Sequence, residues 1–182
     1  MSVVTGAHRL GPADASLQIR TYREGAAARV GHDLVLDVTR WEATVEIAAD
    51  AGGSTVALSA DPRSIEVSEG RGGVKPLTGR DRDEILRNID AKVLRGRPIG
   101  FRSSAVRLAA DESRLVVEGE LTIAGATRRI SAALGVDGEG VLSGTIPLSQ
   151  SGWGIEPYRG LMGALKVRDE VEIVIAARLP AR

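Results

Sequence analysis

The stretch Leu115-Val116-Val117-Glu118-Gly119-Glu120-Leu121-Thr122-Ile123-Ala124-Gly125-Ala126-Thr127, continued by Ile130, Ala132, Leu134 and Val136, decides the fold. Leu115, Val117, Leu121 and Ile123 fall on one side of a two-residue period, with Gly119 in the same row. Val116, Glu118, Glu120 and Thr122 fall on the other, the pattern of a strand with one dry face. Ala124 to Thr127 turns the chain, and Ile130 resumes the alternation. Asp137-Gly138-Glu139-Gly140 is a second turn, because Asp-Gly readily supplies the positive φ of tight hairpins. Val141 to Leu148 follows as a third strand. Strands joined by turns this short run antiparallel, so the region is a meander and not a βαβ nucleotide-binding core.

Upstream, Ser16 to Arg23 is a short strand with Leu17 and Ile19 on one face, and 25–31 is a turn or a single helical turn. Leu34 to Ile47 is a long strand whose dry face changes partway. Leu34, Leu36 and Val38 are dry first, then Trp41, Ala43, Val45 and Ile47. A one-residue slip near Thr39-Arg40 implies a bulge or sharp bend, the device by which a sheet curls, and places Leu36 and Trp41 on the same side despite their odd spacing. Val56, Leu58 and Ala60 make a further strand, ended by Asp61-Pro62, and Ile65 and Val67 continue it. One helix is predicted from Gly79 to about Val93: Thr78 and Asp81 have near-capping-box spacing, and Ile85, Leu86, Ile89 and Val93 form one apolar stripe. Ile99, Phe101 and Ser103, then Val106 and Leu108, make a strand with another face slip, and Val171 to Leu179 closes the chain.

No linker or low-complexity tract interrupts the 182 residues, so residues 1–182 are expected to form one domain. Many antiparallel strands with repeated bulges suggest a barrel without exposed edges, with a two-sheet sandwich as the competing architecture. The single amphipathic helix, able to cap an open end, favours the barrel.

The 24 basic and 24 acidic residues cancel, which gives no global electrostatic reason for nucleic acid or an anionic surface as partner. Only Lys75, Lys92 and Lys166 are lysines, a bias typical of a GC-rich genome. Without cysteine, disulfide and thiolate chemistry and Cys-bound zinc are excluded. The first eight residues lack the basic and apolar regions of a signal peptide, so a cytoplasmic location is expected, periplasmic or secreted if a leader was removed. No apolar run approaches a membrane span.

Catalytic motifs are scarce. His8 and His32 are the only histidines, without metal-ligand spacing, and there is no Gly-x-Ser-x-Gly elbow, phosphate loop or dinucleotide fingerprint. Gly70 to Lys75 could wrap a phosphate, but a solvated loop is the plainer reading. His32-Asp33 could orient an imidazole for acid–base work, against a purely structural histidine. Arg80, Arg82 and Arg87 alternate with Asp81, Asp83 and Glu84 as a solvated helix face. With aromatics at 3%, an eight-stranded barrel lined by Leu, Ile, Val and Ala could leave an apolar cavity for one ligand, or pack shut.

Five motifs, in order, resemble those of the YceI-like family of lipocalin-like polyisoprenoid-binding proteins. They are Gly31-His32-Asp33-Leu34 with Val38 and Trp41; Asp61 to Val67; Thr78 to Ile89; Pro98 to Ser103; and Val117 to Gly125. Gln150 to Ile155 and the last strand extend the likeness over about residues 14–180. This chain carries Val38 and Trp41 in place of the aromatic pair, and Trp153 where phenylalanine is usual. The resemblance implies an all-β, eight-stranded antiparallel lipocalin-like barrel with one amphipathic helix, enclosing a channel for a polyisoprenoid, isoprenoid quinone or similar lipid.

The function that follows is non-enzymatic carriage or storage of that lipid. Val38, Trp41, Phe101, Leu121, Ile123 and Trp153 are the expected wall residues, and His32 and Arg102 the expected polar contacts near a mouth. No cofactor, metal or nucleic acid is expected, and both monomer and homodimer stay open. The rivals are an enzyme acting on a lipid or quinone through His32 and Asp33, and a closed-barrel structural or stress-response adaptor.

Overall fold

The computed structural model describes residues 4–109, 114–137 and 140–178. Among these, fourteen strands occur in chain order: β1 Gly6–Leu10, β2 Ala15–Thr21, β3 Arg23–Glu24, β4 Asp33–Val38, β5 Trp41–Ile47, β6 Thr55–Ala60, β7 Ile65–Arg71, β8 Ile99–Leu108, β9 Arg114–Ile123, β10 Ala126–Val136, β11 Val141–Ser149, β12 Arg159–Gly160, β13 Leu165–Val167 and β14 Glu170–Arg178. Eleven of them form one sheet in the order β1-β5-β6-β8-β9-β10-β11-β14-β2-β4-β7, and β12-β13-β3 form a small second one. Every pairing is antiparallel.

The meander is present as expected. Ile123 pairs with Ala126 across a two-residue turn in which Ala124 (φ 51°) and Gly125 (φ 84°) are both left-handed, the geometry that matches strand twist. At the second turn the Asp137 carboxylate accepts from the Val141 N–H at 2.9 Å. Gly138 and Glu139 of that turn, and Leu179 of the expected last strand, lie outside the described residues.

The strand count differs from the eight expected, because bends break three long runs and β3, β12 and β13 form a small sheet of their own. β4 runs into β5 at Thr39-Arg40, and β6 into β7 at 61–64, while β4 pairs with β7 and β5 with β6. A hydrogen-bonded corner fixes both bends. The backbone N–H and hydroxyl of Thr39 donate to the Ser64 carbonyl at 2.9 and 2.8 Å, and the Asp61 N–H donates to the Arg40 carbonyl at 3.0 Å. Arg40 also donates to the Asp61 carboxylate at 2.8 Å. That bond and the Arg63 N–H hold the Asp61 carboxyl below its ordinary pKa. β1 and β2 form the third bent pair, lying along β5 and β4 respectively. β1 was not anticipated from the sequence. Ladder irregularities between Val35 and Leu36 and between Ser103 and Ala105 add curvature, the latter where the face slip in 99–108 was read.

The helix α1 spans Gly79–Asn88 and continues as a π-helical turn, Ile89–Leu94, which ends at left-handed Arg95. Its capping box is formed: the Thr78 hydroxyl accepts from the Asp81 N–H, and the Asp81 carboxylate accepts from the Thr78 N–H. The Thr78 N–H, with the Thr78 hydroxyl that also donates to this carboxylate at 2.7 Å, holds the Asp81 carboxyl below its ordinary pKa. Ile85, Leu86, Ile89 and Val93 pack against the core, and the Arg82 guanidinium donates to the Val67 carbonyl, tying helix to sheet.

Candidate functional site

The inward rows of the curled sheet do not meet. They enclose a cavity of about 1070 Å³, lined at one end by Leu10, Ile47 and Val136 and at the other by His32, Lys75 and Leu165. Packed interiors leave few voids larger than one water, so a space this size is a built feature of the barrel. The lining follows from strand parity. Leu34, Leu36 and Val38 of β4 and Trp41, Ala43, Val45 and Ile47 of β5 all face it, so Leu36 and Trp41 do share a side. The corner at Thr39-Arg40 resets the parity.

Of the expected wall residues, Val38, Trp41, Phe101, Leu121 and Ile123 line the cavity. Phe101 leans across Gly119 of β9, where a Cβ would stand 2.6 Å from the ring's Cζ, so this strand position has room only for hydrogen. Trp153 is elsewhere. It is buried in the core beneath the 150–153 turn, its indole Nε1–H donating to the Leu121 carbonyl at 3.1 Å, and it is not on the cavity wall. Arg102 is on the outer face of the sheet, beside Glu42, Thr44, Glu120 and Thr127, and not near the mouth. The reason is strand parity, since its neighbour Phe101 points inward.

His32 reaches the mouth, where its Nε2–H donates to the Lys75 carbonyl at 2.8 Å. Gly73 (φ 76°) passes against the imidazole so closely that a Cβ would overlap the ring. Asp33 serves a different partner: its carboxylate accepts from the Arg23 N–H at 2.8 Å. Arg23 in turn donates to the carbonyls of Gly31 and Arg71 at 2.7 and 3.0 Å. His32 and Asp33 therefore each pin a loop, in separate hydrogen-bond sets. Among the described residues no cluster of three His, Asp or Glu is placed to hold a metal ion.

The sequence reading missed several wall residues. Ile85, Ile89 and Val93 line the cavity as well as packing the helix on the sheet, and Tyr158, just before β12, and Leu165 of β13 contribute as well. The helix stripe was visible as an apolar face. That it forms one side of a chamber depends on the barrel's width, which periodicity does not carry.

The model of the YceI-like domain family matches residues 12–179. A crystal structure of BcnA from Burkholderia cenocepacia is similar with a TM-score of 0.66 at 16% identity, covering 89% of this chain and 94% of that one. The Campylobacter jejuni YCEI protein is similar with a TM-score of 0.57 at 10% identity, covering 81% and 84%. A mutant CJ YCEI protein with a monobromobimane guest structure gives 0.58 at 13% identity, with the same coverage. At these identities the structural likeness concerns the fold. No curated protein matches the chain.

Proposed function

The chain belongs to the YceI-like domain family, and on that premise we propose that it binds a long-chain apolar ligand in the barrel, as a carrier or storage protein without catalysis. A polyisoprenoid, an isoprenoid quinone or a similar lipid has the shape and chemistry for the channel. One observation carries the reading: a cavity of about 1070 Å³ walled almost throughout by aliphatic side chains. Left empty, its apolar walls go without the contacts that a filled interior would give them. Water finds few polar partners on such walls. An apolar occupant resolves both difficulties.

The strand arrangement supports a closed channel. Counting the bent pairs β1–β2, β4–β5 and β6–β7 as three courses beside β8, β9, β10, β11 and β14 gives eight, which supports the eight-stranded reading. Eight strands is the size at which a barrel either fills itself with side chains or holds one ligand. About ten buried methylenes contribute about 8 kcal/mol, a roughly micromolar affinity before ordering costs. The separate partners of His32 and Asp33 support carriage over chemistry. Titration of delipidated protein with prenyl alcohols of increasing length tests the reading. Affinity should climb with each isoprene unit until the channel is full, and a flat series would overturn it.

A further inference from the structure

Two polar residues are buried among the described residues, Ser64 and Gln150. Ser64 is spent inside the corner at Thr39-Arg40, where its hydroxyl donates to the Asp61 carbonyl at 2.8 Å. Gln150 differs, because it lines the cavity. It is 7% exposed, whereas every other polar residue of the lining, His32, Lys75 and Tyr158 among them, is at least partly open to solvent. The aliphatic wall thus carries one buried amide, toward its His32 end. Gln150 follows β11 and bonds Arg168, the residue just beyond β13, whose Leu165 and Lys166 border the mouth.

The amide is held in one orientation. Its Nε2–H donates to the Arg168 carbonyl at 2.9 Å. A carbonyl can only accept, so the nitrogen is fixed on that side and Oε1 on the other. The backbone is pinned too: the Gln150 N–H donates to the Asp169 carbonyl at 2.9 Å, and the Ile155 N–H to the Gln150 carbonyl at 3.1 Å. Among the described residues Oε1 accepts no hydrogen bond. Nor is it sealed in packing, since the enclosed side-chain atoms without a partner are Arg20 Nε and Asp90 Oδ1. The surface it keeps faces the cavity. A buried acceptor without a donor is costly, and a water there finds few further partners on aliphatic walls.

We infer that Gln150 Oε1 anchors the head of the ligand, and that this head is an uncharged hydroxyl, of an alcohol or a phenol, which donates to it. The inference rests on the channel reading and narrows it. A quinone carbonyl offers only an acceptor, and a diphosphate brings charged acceptors; either sets oxygen against oxygen. The charges of the mouth do not compensate a diphosphate. Arg23 pairs with Asp33 at 4.0 Å, Lys166 stands opposite Glu24 in the small sheet, and Lys75 shares the lining with Asp81 and Glu84. The tail runs from the head toward Leu10, Ile47 and Val136.

The test titrates the delipidated full chain with geranylgeraniol and with its methyl ether, which keeps the tail and the oxygen but has no donor. The wild type should bind the alcohol about tenfold more tightly than the ether. Gln150→Met, of similar length and without the amide, should bind both alike, near the wild type's affinity for the ether. Three results would overturn the inference and leave the channel reading standing: equal binding of alcohol and ether by the wild type, a preference that persists in Gln150→Met, or tighter binding of geranylgeranyl diphosphate than of the alcohol. Failure of the wild type to bind either ligand would sink the channel reading, and this one with it. If Gln150→Met does not fold, the side-chain amide signal of Gln150 in NMR spectra of the wild type decides. It should move on addition of the alcohol and stay near its free position with the ether; equal movement would overturn the inference.

Discussion

Replacing Ala132 with phenylalanine turns the question of a hollow interior into one of sign. Ala132 lies in the inward row of β10 between Ile130 and Leu134, opposite Val117, and borders the cavity. In a tightly packed core an added ring forces neighbours off their rotamers and costs about 1–3 kcal/mol. Here the ring projects into open space of about 1070 Å³ and gains apolar walls on part of its surface. That contributes about 1.5 kcal/mol, the low end for burying such a side chain. For a chain of this length the gain corresponds to a rise in Tm of about 3–6 °C. The same ring obstructs the channel, so prenyl binding should weaken by tenfold or more while the protein becomes more stable. Calorimetry on delipidated protein and a ligand titration read the two effects separately. A fall in Tm with binding unchanged would refute the reasoning, because it would mean that Ala132 faces packed side chains and that the ligand, if any, lies elsewhere.

Leu121→Arg should abolish ligand binding by placing an unpaired charge on the apolar wall, whereas His32→Ala removes one exposed hydrogen bond, worth about 1 kcal/mol, and should weaken binding less than tenfold. A prenyl or quinone turnover that vanished in the His32 variant would instead restore a catalytic role. Ile89→Asp should cost about 3 kcal/mol in denaturant unfolding, since this side chain packs on the core and borders the cavity; a small effect would mean that the helix stripe is not held against the sheet. Thr78→Ala should cost about 1 kcal/mol by removing the cap of α1. The capping carboxyl of Asp81 has its pKa lowered on folding, so its contribution is present above the unfolded value of about 4 and is lost as pH falls through the lowered one. The gap between wild type and Thr78→Ala should therefore hold at neutral pH and narrow only in acid, which a pH series of melting curves checks.

The parts legible in the sequence were those where one face meets an apolar interior over many residues. Alternation in 115–136 specified the meander, and the parity change between Val38 and Trp41 located a bend that the Thr39–Ser64 hydrogen bonds then hold. The same parity could have placed Arg102 outside, since Phe101 points inward. β1 escaped notice because Gly6–Leu10 carries His8 and Arg9 and little apolar pattern, and it is a strand by virtue of its pairing with β5. β3, β12 and β13 are two or three residues long and are likewise defined by their partners. Trp153 lies in a tight turn, where strand periodicity has no bearing, and its burial follows from the bond to the Leu121 carbonyl. Whether the barrel was hollow was illegible for a different reason. Filled and empty barrels present the same inward rows, and the difference lies in the radius of the sheet and the size of the side chains that must span it.

Organic extraction of the protein, purified from the organism that makes it and analysed by mass spectrometry, bears most directly on the carrier reading. Carriage predicts a long-chain isoprenoid or comparable lipid in stoichiometric amount, absent from the extract of the Leu121→Arg variant. An extract free of long-chain lipid, from protein that melts cooperatively with its barrel intact, would contradict it.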